Sequence, residues 1–158
     1  MTNRSNIEVL YDEQALDARN RELARDIAAA GFGEDLVVVA LLKGSFIFAA
    51  DLIRALDAAV TLIRDIGTVV QGRNVLIVDD ILESGRTLAF AKKTIEDRGA
   101  ARVGIVVLLE KPGKRVASVD ADFVGFVCDD VFVVGYGMDA AHKWRQLPFI
   151  GHVVGGGD

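Results

Sequence analysis

Residues 75–88 read VLIVDDILESGRTL, and this stretch decides the fold. Its first four residues are all apolar, which predicts a short strand buried on both faces, as in a parallel sheet. Asp79 and Asp80 follow directly, and the chain then enters a helix through residues 84–87, SGRT. A buried strand that leads through a short loop into a helix is the repeating unit of α/β domains.

The same alternation of strand and helix continues on both sides of this stretch. Four more apolar segments predict strands, at 36–42, 103–109, 123–127 and 131–134. Three helices are predicted, one from Asp12 to Gly31, one over 46–56, and one that carries Leu88, Ala91 and Ile95 and ends at Gly99. The helix over 46–56 is apolar nearly all round, which predicts deep packing. We therefore predict a single α/β domain over residues 1–158, with a mainly parallel central sheet flanked by helices.

The composition limits the class of protein. With 158 residues, 51% of them hydrophobic, the chain has ample material for one core. Its net charge of −5 disfavours nucleic acid as a partner, because such binding needs a basic face. Cys128 is the single cysteine, so no disulfide can form within the chain. The polar first residues lack the apolar core of a signal peptide, and no apolar run approaches a membrane span. We therefore expect a cytoplasmic protein that binds neither nucleic acid nor membranes.

The loop after the strand at 75–78 predicts a ribose 5-phosphate site. Backbone N–H groups at the start of a helix, with the hydroxyls of Ser84 and Thr87, form a cradle for a phosphate. Asp79 and Asp80 only accept hydrogen bonds when they are ionised, so they suit vicinal sugar hydroxyls or a hydrated Mg²⁺. The alternative is a crossover whose acidic turn is only solvated and whose threonine only caps the helix.

This segment resembles the phosphoribosyl diphosphate-binding signature of type I phosphoribosyltransferases, a fold with a small hood. The resemblance implies six phosphoribosyl-binding residues, Asp79, Asp80, Ser84, Gly85, Arg86 and Thr87. The two aspartates are also implied as Mg²⁺ ligands. Residues 42–45, LKGS, are similar to the loop with which hypoxanthine-guanine phosphoribosyltransferases hold the diphosphate, often through a cis peptide. Lys43 and Gly44 would then bind the diphosphate, whereas on the alternative interpretation this loop is a plain turn into the next helix.

The C-terminal part narrows the resemblance. Residues 131–139, VFVVGYGMD, and residues 144–148, WRQLP, resemble the purine end of the hypoxanthine-guanine enzymes. The resemblance implies that the ring of Phe132 stacks on the purine and that the main chain of Val133 and the carboxylate of Asp139 also bind it. Asp139 would also bind Mg²⁺, and Arg145 would contact the diphosphate. On the alternative interpretation Phe132 is only a core residue and Arg145 only part of a surface ion pair.

Together these resemblances imply a purine salvage enzyme, a hypoxanthine phosphoribosyltransferase. It would transfer the 5-phosphoribosyl group from phosphoribosyl diphosphate to hypoxanthine, with guanine and xanthine as further candidates, and would release diphosphate. Mg²⁺ is the implied cofactor, and a homodimer or homotetramer the implied assembly. The core would span about 36–110 and the purine-binding part about 111–151. The alternative is a weak or inactive relative of the same fold that acts as a nucleotide sensor or an RNA-binding regulator.

Two positions depart from the family pattern. Glu83 stands where the family usually has an aspartate thought to take the ring proton of the purine. It is the candidate catalytic base, although its extra methylene moves the carboxylate by about a bond length. Many relatives also place a lysine for the purine 6-oxygen just before the strand matching 123–127, and residues 119–122 contain none. Lys111 and Lys114 are the nearest lysines, so the choice among 6-oxopurines stays open.

A third departure lies between Leu56 and Val75. Relatives carry a further strand and a mobile lid with a Ser-Tyr pair here, and neither is recognisable in residues 57–67. We therefore predict that the lid segment is missing near residues 57–66. Either the protein lacks a lid, which would expose catalysis to water, or residues are missing from the sequence. The junction at 58–61, which has no turn signal, favours missing residues.

Overall fold

The fold is built on two sheets. The computed structural model describes residues 6–63 and 70–155. In chain order its elements are β1 (Ile7–Tyr11), α1 (Glu13–Ala29), β2 (Asp35–Ala40), α2 (Phe46–Ala55), β3 (Ala59–Ile63), β4 (Asn74–Leu82), α3 (Arg86–Asp97), β5 (Arg102–Glu110), β6 (Phe123–Val127), β7 (Val133–Val134) and β8 (Ile150–Val153). Five strands form a parallel sheet in the order β3-β2-β4-β5-β6, and three form an antiparallel sheet in the order β1-β8-β7. The predicted α/β class with a mainly parallel sheet is confirmed. No helix among the described residues is long and apolar enough to cross a membrane.

The parallel sheet is buried on both faces because helices cover each of them. Val38 and Leu76 belong to the core cluster that includes α1 and α2. Their neighbours Val37 and Val75 belong to a second cluster, with α3. Adjacent residues of a strand point to opposite faces, so a sheet covered on both sides needs continuous apolar runs. The predicted buried stripe of α3 is confirmed, with Leu88, Ala91 and Ile95 in the core.

The helices begin near their predicted positions, but one packs differently from the prediction. α1 starts after Asp12, whose side chain accepts a hydrogen bond from the Ala15 N–H at 2.8 Å. Deep packing all round the helix at 46–56 is wrong, because α2 leaves Phe46 46% exposed and buries Phe48, Ala49 and Leu52. α2 therefore has one core face and one open face.

β4 is longer than the apolar pattern predicted. It continues beyond Val78 through Asp79 and Asp80 to Leu82. The extension exists because β5 offers a partner along this whole length, as far as the pair Leu82–Glu110. β2 pairs with β4 only as far as Val78. The two aspartates therefore lie in a strand that is paired on one side and open on the side of β2.

A strand follows α2 where none was predicted. β3 pairs in parallel with β2 along its whole length, so the interpretation that no further strand precedes β4 is wrong. The junction at 58–61 includes the start of this strand at Ala59, and whether residues are missing from the sequence stays a prediction. The predicted absence of a lid falls partly on residues 64–69, which lie outside the described residues.

The antiparallel sheet, which we call the hood, depends on pairing across the chain. β8 is its central strand, with β1 on one side and β7 on the other. Neither β1 nor β8 was predicted, and the strand predicted over 131–134 is reduced to β7, Val133–Val134. The β1–β8 register pairs Ile7 with Val153. Because β1 and its partner β8 are far apart in sequence, local patterns did not predict this pair.

Candidate active site

One cleft brings together most of the predicted site residues. It has a volume of about 610 Å³ and is lined by the loop after β2, the end of β4, the residue after β5 and the segment 132–145. Eight predicted residues line it: Lys43, Gly44, Asp80, Glu83, Phe132, Val133, Asp139 and Arg145. A larger cleft of about 1100 Å³, lined by α1, α2 and residues 146–148, contains none of them. Ligands of parallel sheets bind beyond the carboxyl ends of the strands, so the smaller cleft is the candidate active site.

The other predicted residues surround an adjoining cavity of about 210 Å³. Its walls include four of them, Asp79, Ser84, Gly85 and Thr87. Ile81 and Glu83 line both the cavity and the cleft, so the two spaces meet at the end of β4. Arg86 is the exception, since it is exposed and lines neither space.

The backbone between β4 and α3 leaves N–H groups for an anion. Gly85 has a φ of 79°, a left-handed conformation that favours glycine, and it immediately precedes α3. Gly85, the residue before this helix, has no side chain that could cap it, and Thr87 makes no capping hydrogen bond among the described residues, which argues against the alternative in which Thr87 only caps the helix. The Arg86 N–H donates to Ser84 Oγ at 3.4 Å, and the rest of the first turn is free to bind a ligand. The Ser84 carbonyl accepts hydrogen bonds from the N–H groups of residues 116–117, which hold this loop in place.

Asp79 and Asp80 line different spaces, because adjacent residues of a strand point to opposite sides. Asp80 lines the cleft and Asp79 the adjoining cavity. The Asp80 N–H donates to Asp79 Oδ1 at 2.8 Å. Burial, and after it the charge of Asp80, raise the pKa of Asp79 to about 8. Binding of a divalent cation or another positive group nearby would favour the ionised form of this carboxyl group. The described residues contain no group of three or more His, Cys, Asp or Glu that could hold a metal ion.

The loop after β2 packs directly on Asp80. The Leu42–Lys43 peptide is cis, as the resemblance implied. A Cβ on Gly44 would lie 2.0 Å from Asp80 Oδ2, so only glycine leaves room for the carboxylate. Ser45 is buried, and its hydroxyl donates to the Leu41 carbonyl at 2.6 Å. The predicted diphosphate loop and the predicted ribose ligand are thus in contact.

A lysine that the sequence analysis left unassigned lies inside the cleft. Lys111 is 5% exposed, and its Nζ lies 3.0 Å from Glu83 Oε1. The pair forms because β4 and β5 are in register up to Leu82 and Glu110, which places the next residue of each strand side by side. Lys114, the other nearby lysine, instead pairs with Asp130 at the surface. The signal for Lys111 was its place directly after a buried parallel strand.

The hood presents to the cleft the exposed ring of Phe132 and the main-chain N–H and C=O groups of Val133. Phe132 is 61% exposed, so the alternative in which it is a core residue is wrong. Val133 pairs with His152 in β8, and the Val153 N–H donates to the Phe132 carbonyl. This places Val133 at a non-hydrogen-bonded position, with its N–H and C=O directed away from β8. Because β7 is an outer strand, these groups lie on the open edge of the hood.

The segment after β7 carries an ion pair. Arg145 Nη2 lies 3.1 Å from Asp139 Oδ1, and both residues line the cleft. The Arg145 guanidinium also donates to the Gly137 carbonyl at 2.7 Å, and the His142 N–H donates to Asp139 Oδ2 at 2.7 Å. The ion pair of Arg145 is therefore part of the site, and both side chains are oriented before any ligand binds.

The loop from β4 into α3, the acidic end of β4 and the hood belong to a chain that comparisons with known proteins group with the phosphoribosyltransferases. A family model described as the phosphoribosyl transferase domain matches residues 66–141. Hypoxanthine phosphoribosyltransferase of Escherichia coli strain K12 is 36% identical over 170 aligned residues, which cover 94% of this chain and 96% of the relative. A crystal structure of a hypoxanthine-guanine phosphoribosyltransferase from Bacillus anthracis has a TM-score of 0.89 at 39% identity, and the match covers 93% of this chain and 98% of that one. The chain belongs to the hypoxanthine phosphoribosyltransferase family, and the predicted fold is confirmed.

Some relatives are much longer proteins. The bifunctional protein TilS/HprT of Listeria innocua is 39% identical over 163 aligned residues, which cover 90% of this chain. The chain spans about a quarter of the length of that relative, since the match covers 25% of it.

Proposed function

We propose that the protein transfers the 5-phosphoribosyl group from phosphoribosyl diphosphate to a 6-oxopurine, with hypoxanthine as the first substrate. The products are the nucleoside monophosphate and diphosphate. The observation that carries this proposal is the single cleft in which Asp80 and the Lys43–Gly44 loop share walls with Lys111 and Phe132. These groups are separate partners for ribose, diphosphate and base.

The adjoining cavity accommodates the 5-phosphate. The N–H groups of the first turn of α3 and the hydroxyls of Ser84 and Thr87 donate to the phosphate oxygens. Asp79 and Asp80 accept hydrogen bonds from the ribose hydroxyls. Asp79, Asp80 and Asp139 are the candidate Mg²⁺ ligands, because hard cations prefer oxygen ligands. They do not form one cluster among the described residues, so Mg²⁺ would be held by one or two of them together with water and diphosphate oxygens. Bound Mg²⁺ would neutralise charge on the diphosphate and so make it a better leaving group.

Lys43 and Arg145 bind the leaving diphosphate. The bond from ribose C1 to the diphosphate oxygen breaks ahead of bond formation to the purine, so positive charge develops on the ribose and the electron pair leaves with the diphosphate. Arg145 starts in an ion pair with Asp139, and it exchanges that carboxylate for the diphosphate oxygens. Cations placed where negative charge develops lower the barrier to this step.

The purine is held between the hood and the end of β5. Phe132 stacks on the ring, and the main chain of Val133 pairs with its edge. Lys111 donates from its buried ammonium to the 6-oxygen. Glu83, the ionic partner of Lys111, accepts the proton that leaves the ring nitrogen as that nitrogen bonds to ribose C1. A single ion pair thus combines base recognition with proton removal.

The test is a spectrophotometric assay with phosphoribosyl diphosphate and Mg²⁺, run separately with hypoxanthine, guanine, xanthine and adenine. We expect turnover of hypoxanthine and none of adenine, which lacks the 6-oxygen that Lys111 recognises. Glu83→Gln is the matched variant, since it keeps shape and removes the base. Its turnover should fall about 100-fold or more while diphosphate binding is retained.

Two results would contradict this proposal. Normal turnover in Glu83→Gln would remove Glu83 as the base. If the wild-type protein converts no purine yet binds nucleotide or RNA, the sensor or regulator alternative replaces the enzyme. The relative rates with the three 6-oxopurines identify the preferred base.

The assembly and compartment follow from the same proposal. A homodimer or homotetramer stays a prediction, which light scattering coupled to size-exclusion chromatography would measure. A cytoplasmic location is also proposed, because purine salvage is intracellular and the single cysteine, Cys128, is a free buried thiol that suits a reducing compartment.

A further inference from the structure

Tyr136 joins three parts of the molecule through one buried hydroxyl. This hydroxyl accepts a hydrogen bond from Asn20 Nδ2 of α1 at 2.9 Å, and it donates to Asp51 Oδ2 of α2. Tyr136 is 5% exposed and Asn20 is 4% exposed. The backbone of Tyr136 has a φ of 50°, a left-handed conformation that is unfavourable for an aromatic residue. The side-chain network therefore compensates for a strained main chain.

The residue after Tyr136 contacts the diphosphate loop. A Cβ on Gly137 would lie 2.8 Å from the carbonyl oxygen of Gly44, so the two backbones are close together. The Gly137 N–H donates to the Arg145 carbonyl at 3.0 Å, and its own carbonyl accepts from the Arg145 guanidinium. Gly137 thus lies between the Lys43–Gly44 loop and Arg145, the two groups assigned to the leaving diphosphate.

The other end of the network is fixed on the helix that follows this loop. Asp51 lies in α2, which begins at Phe46, directly after the diphosphate loop. The bond between Tyr136 and Asp51 therefore ties the helix after the loop to the segment that carries Arg145. Burial, and after it the hydrogen bond to Asp51, raise the pKa of Tyr136, so the hydroxyl stays protonated as the donor.

We propose that Tyr136 is a positioning residue that sets the separation between the Lys43–Gly44 loop and Arg145 through its hydrogen bonds to Asp51 and Asn20. It touches no substrate, and it acts by keeping the two halves of the diphosphate site at a fixed distance. The inference deepens the proposed function and rests on its assignment of the diphosphate site. Loss of the hydroxyl should weaken diphosphate binding and leave purine recognition nearly unchanged.

The test compares Tyr136→Phe, which removes only the oxygen atom, with the wild-type protein. Tyr11→Phe is the matched control, because Tyr11 is the other tyrosine of the chain and its exposed hydroxyl contacts the Val127 carbonyl, away from this network. Calorimetric titration with diphosphate and Mg²⁺ should show about tenfold weaker binding by Tyr136→Phe and no change for the control. The KM for phosphoribosyl diphosphate should rise by a similar factor, while the KM for hypoxanthine changes by less than about twofold.

Variants of Asp51 test the same bond from its other end. Asp51→Leu removes the acceptor and should reproduce the loss of diphosphate binding, also if Tyr136→Phe fails to fold. Asp51→Asn keeps an acceptor oxygen and should restore most of the binding. A merely structural role would lower the melting temperature and leave both KM values unchanged.

Three outcomes would overturn the inference. Wild-type diphosphate affinity in both Tyr136→Phe and Asp51→Leu would show that the bond does not position the site. An equal rise in both KM values would mean a general disturbance of the cleft. A wild-type protein that does not bind diphosphate would refute the inference together with the proposed diphosphate site. If the wild type binds diphosphate but converts no purine, only the proposed function fails, and the binding data still decide the role of Tyr136.

Discussion

Replacement of Asp79 by asparagine should stabilise the free protein and at the same time impair its activity. Burial and the adjacent charge of Asp80 raise the pKa of Asp79 from 3.8 to about 8. A carboxyl group with a higher pKa in the folded state binds its proton more tightly when folded. The stability that depends on this proton is therefore lost as the pH rises from about 4 to about 8. Asparagine has the same shape and does not titrate, and its amide oxygen can still accept from the Asp80 N–H.

The size of the effect follows from the pKa difference. Each unit corresponds to about 1.36 kcal/mol. At neutral pH the unfolded chain has lost this proton and the folded chain keeps it, so Asp79 lowers the stability of the folded state by at most roughly 4 kcal/mol relative to a residue that does not titrate. Small movements and partial solvation relieve part of this energy, and we expect a gain of about 2 kcal/mol for the variant at pH 8. For a chain of this length that is a rise of about 4–8 °C in melting temperature.

The assay is thermal unfolding followed by circular dichroism at pH 4, 6 and 8, with EDTA to remove divalent cations. Asp57→Asn is the control, since Asp57 is an exposed carboxylate between α2 and β3. The difference between Asp79→Asn and wild type should grow with pH, whereas the control stays close to wild type throughout. An equal difference at pH 4 and pH 8, or a lower melting temperature of the variant at pH 8, would refute the reasoning. The variant should also lose most of its turnover, because Asp79 is assigned to the ribose hydroxyls.

Two further substitutions test the proposed phosphoribosyl diphosphate site and the proposed purine site separately. Gly44→Ala should leave the melting temperature nearly unchanged, because the new methyl group displaces only the flexible end of Asp80. It should raise the KM for phosphoribosyl diphosphate about tenfold or more. Unchanged kinetics would show that the position of Asp80 is not critical. Lys111→Met keeps the apolar stem of the side chain and removes its charge, so the KM for hypoxanthine should rise about tenfold or more with little change in the KM for phosphoribosyl diphosphate. Equal affinity of the variant for hypoxanthine would remove Lys111 from base recognition.

The parallel sheet could be predicted because its central strands are continuous apolar runs. β3, AVTLI, is also mostly apolar, but it is short, Thr61 interrupts it and no turn signal precedes it, so its pattern did not predict a strand. It is an outer strand, and its ladder to β2 stabilises it in place of burial on both faces. β1 could not be predicted for a related reason, because its partner β8 lies at the other end of the chain and no local window contains both strands.

The candidate site was predictable where it is contiguous in sequence. Residues 79–87 carry the strand end, the loop and the helix start in a single motif, and the structure keeps all but Arg86 at the two adjoining spaces. The place of Lys111 directly after a buried strand indicated an edge of the sheet, but only the register between β4 and β5 brings it beside Glu83. Tyr136 looks like one more aromatic residue in an apolar run, and only its contacts with two distant helices distinguish it.

The position of β8 in the chain determines the order in which the two sheets can be completed during synthesis. All strands of the parallel sheet lie within residues 35–127, whereas β8 spans Ile150–Val153. A ribosome releases its product from the N-terminus, so β1 and β7 have no central strand until β8 has emerged. The nascent chain can therefore complete the parallel sheet and the loop from β4 into α3 well before the hood. Translation that stops before residue 150 would yield a product with an unpaired, aggregation-prone β1 and half a binding site.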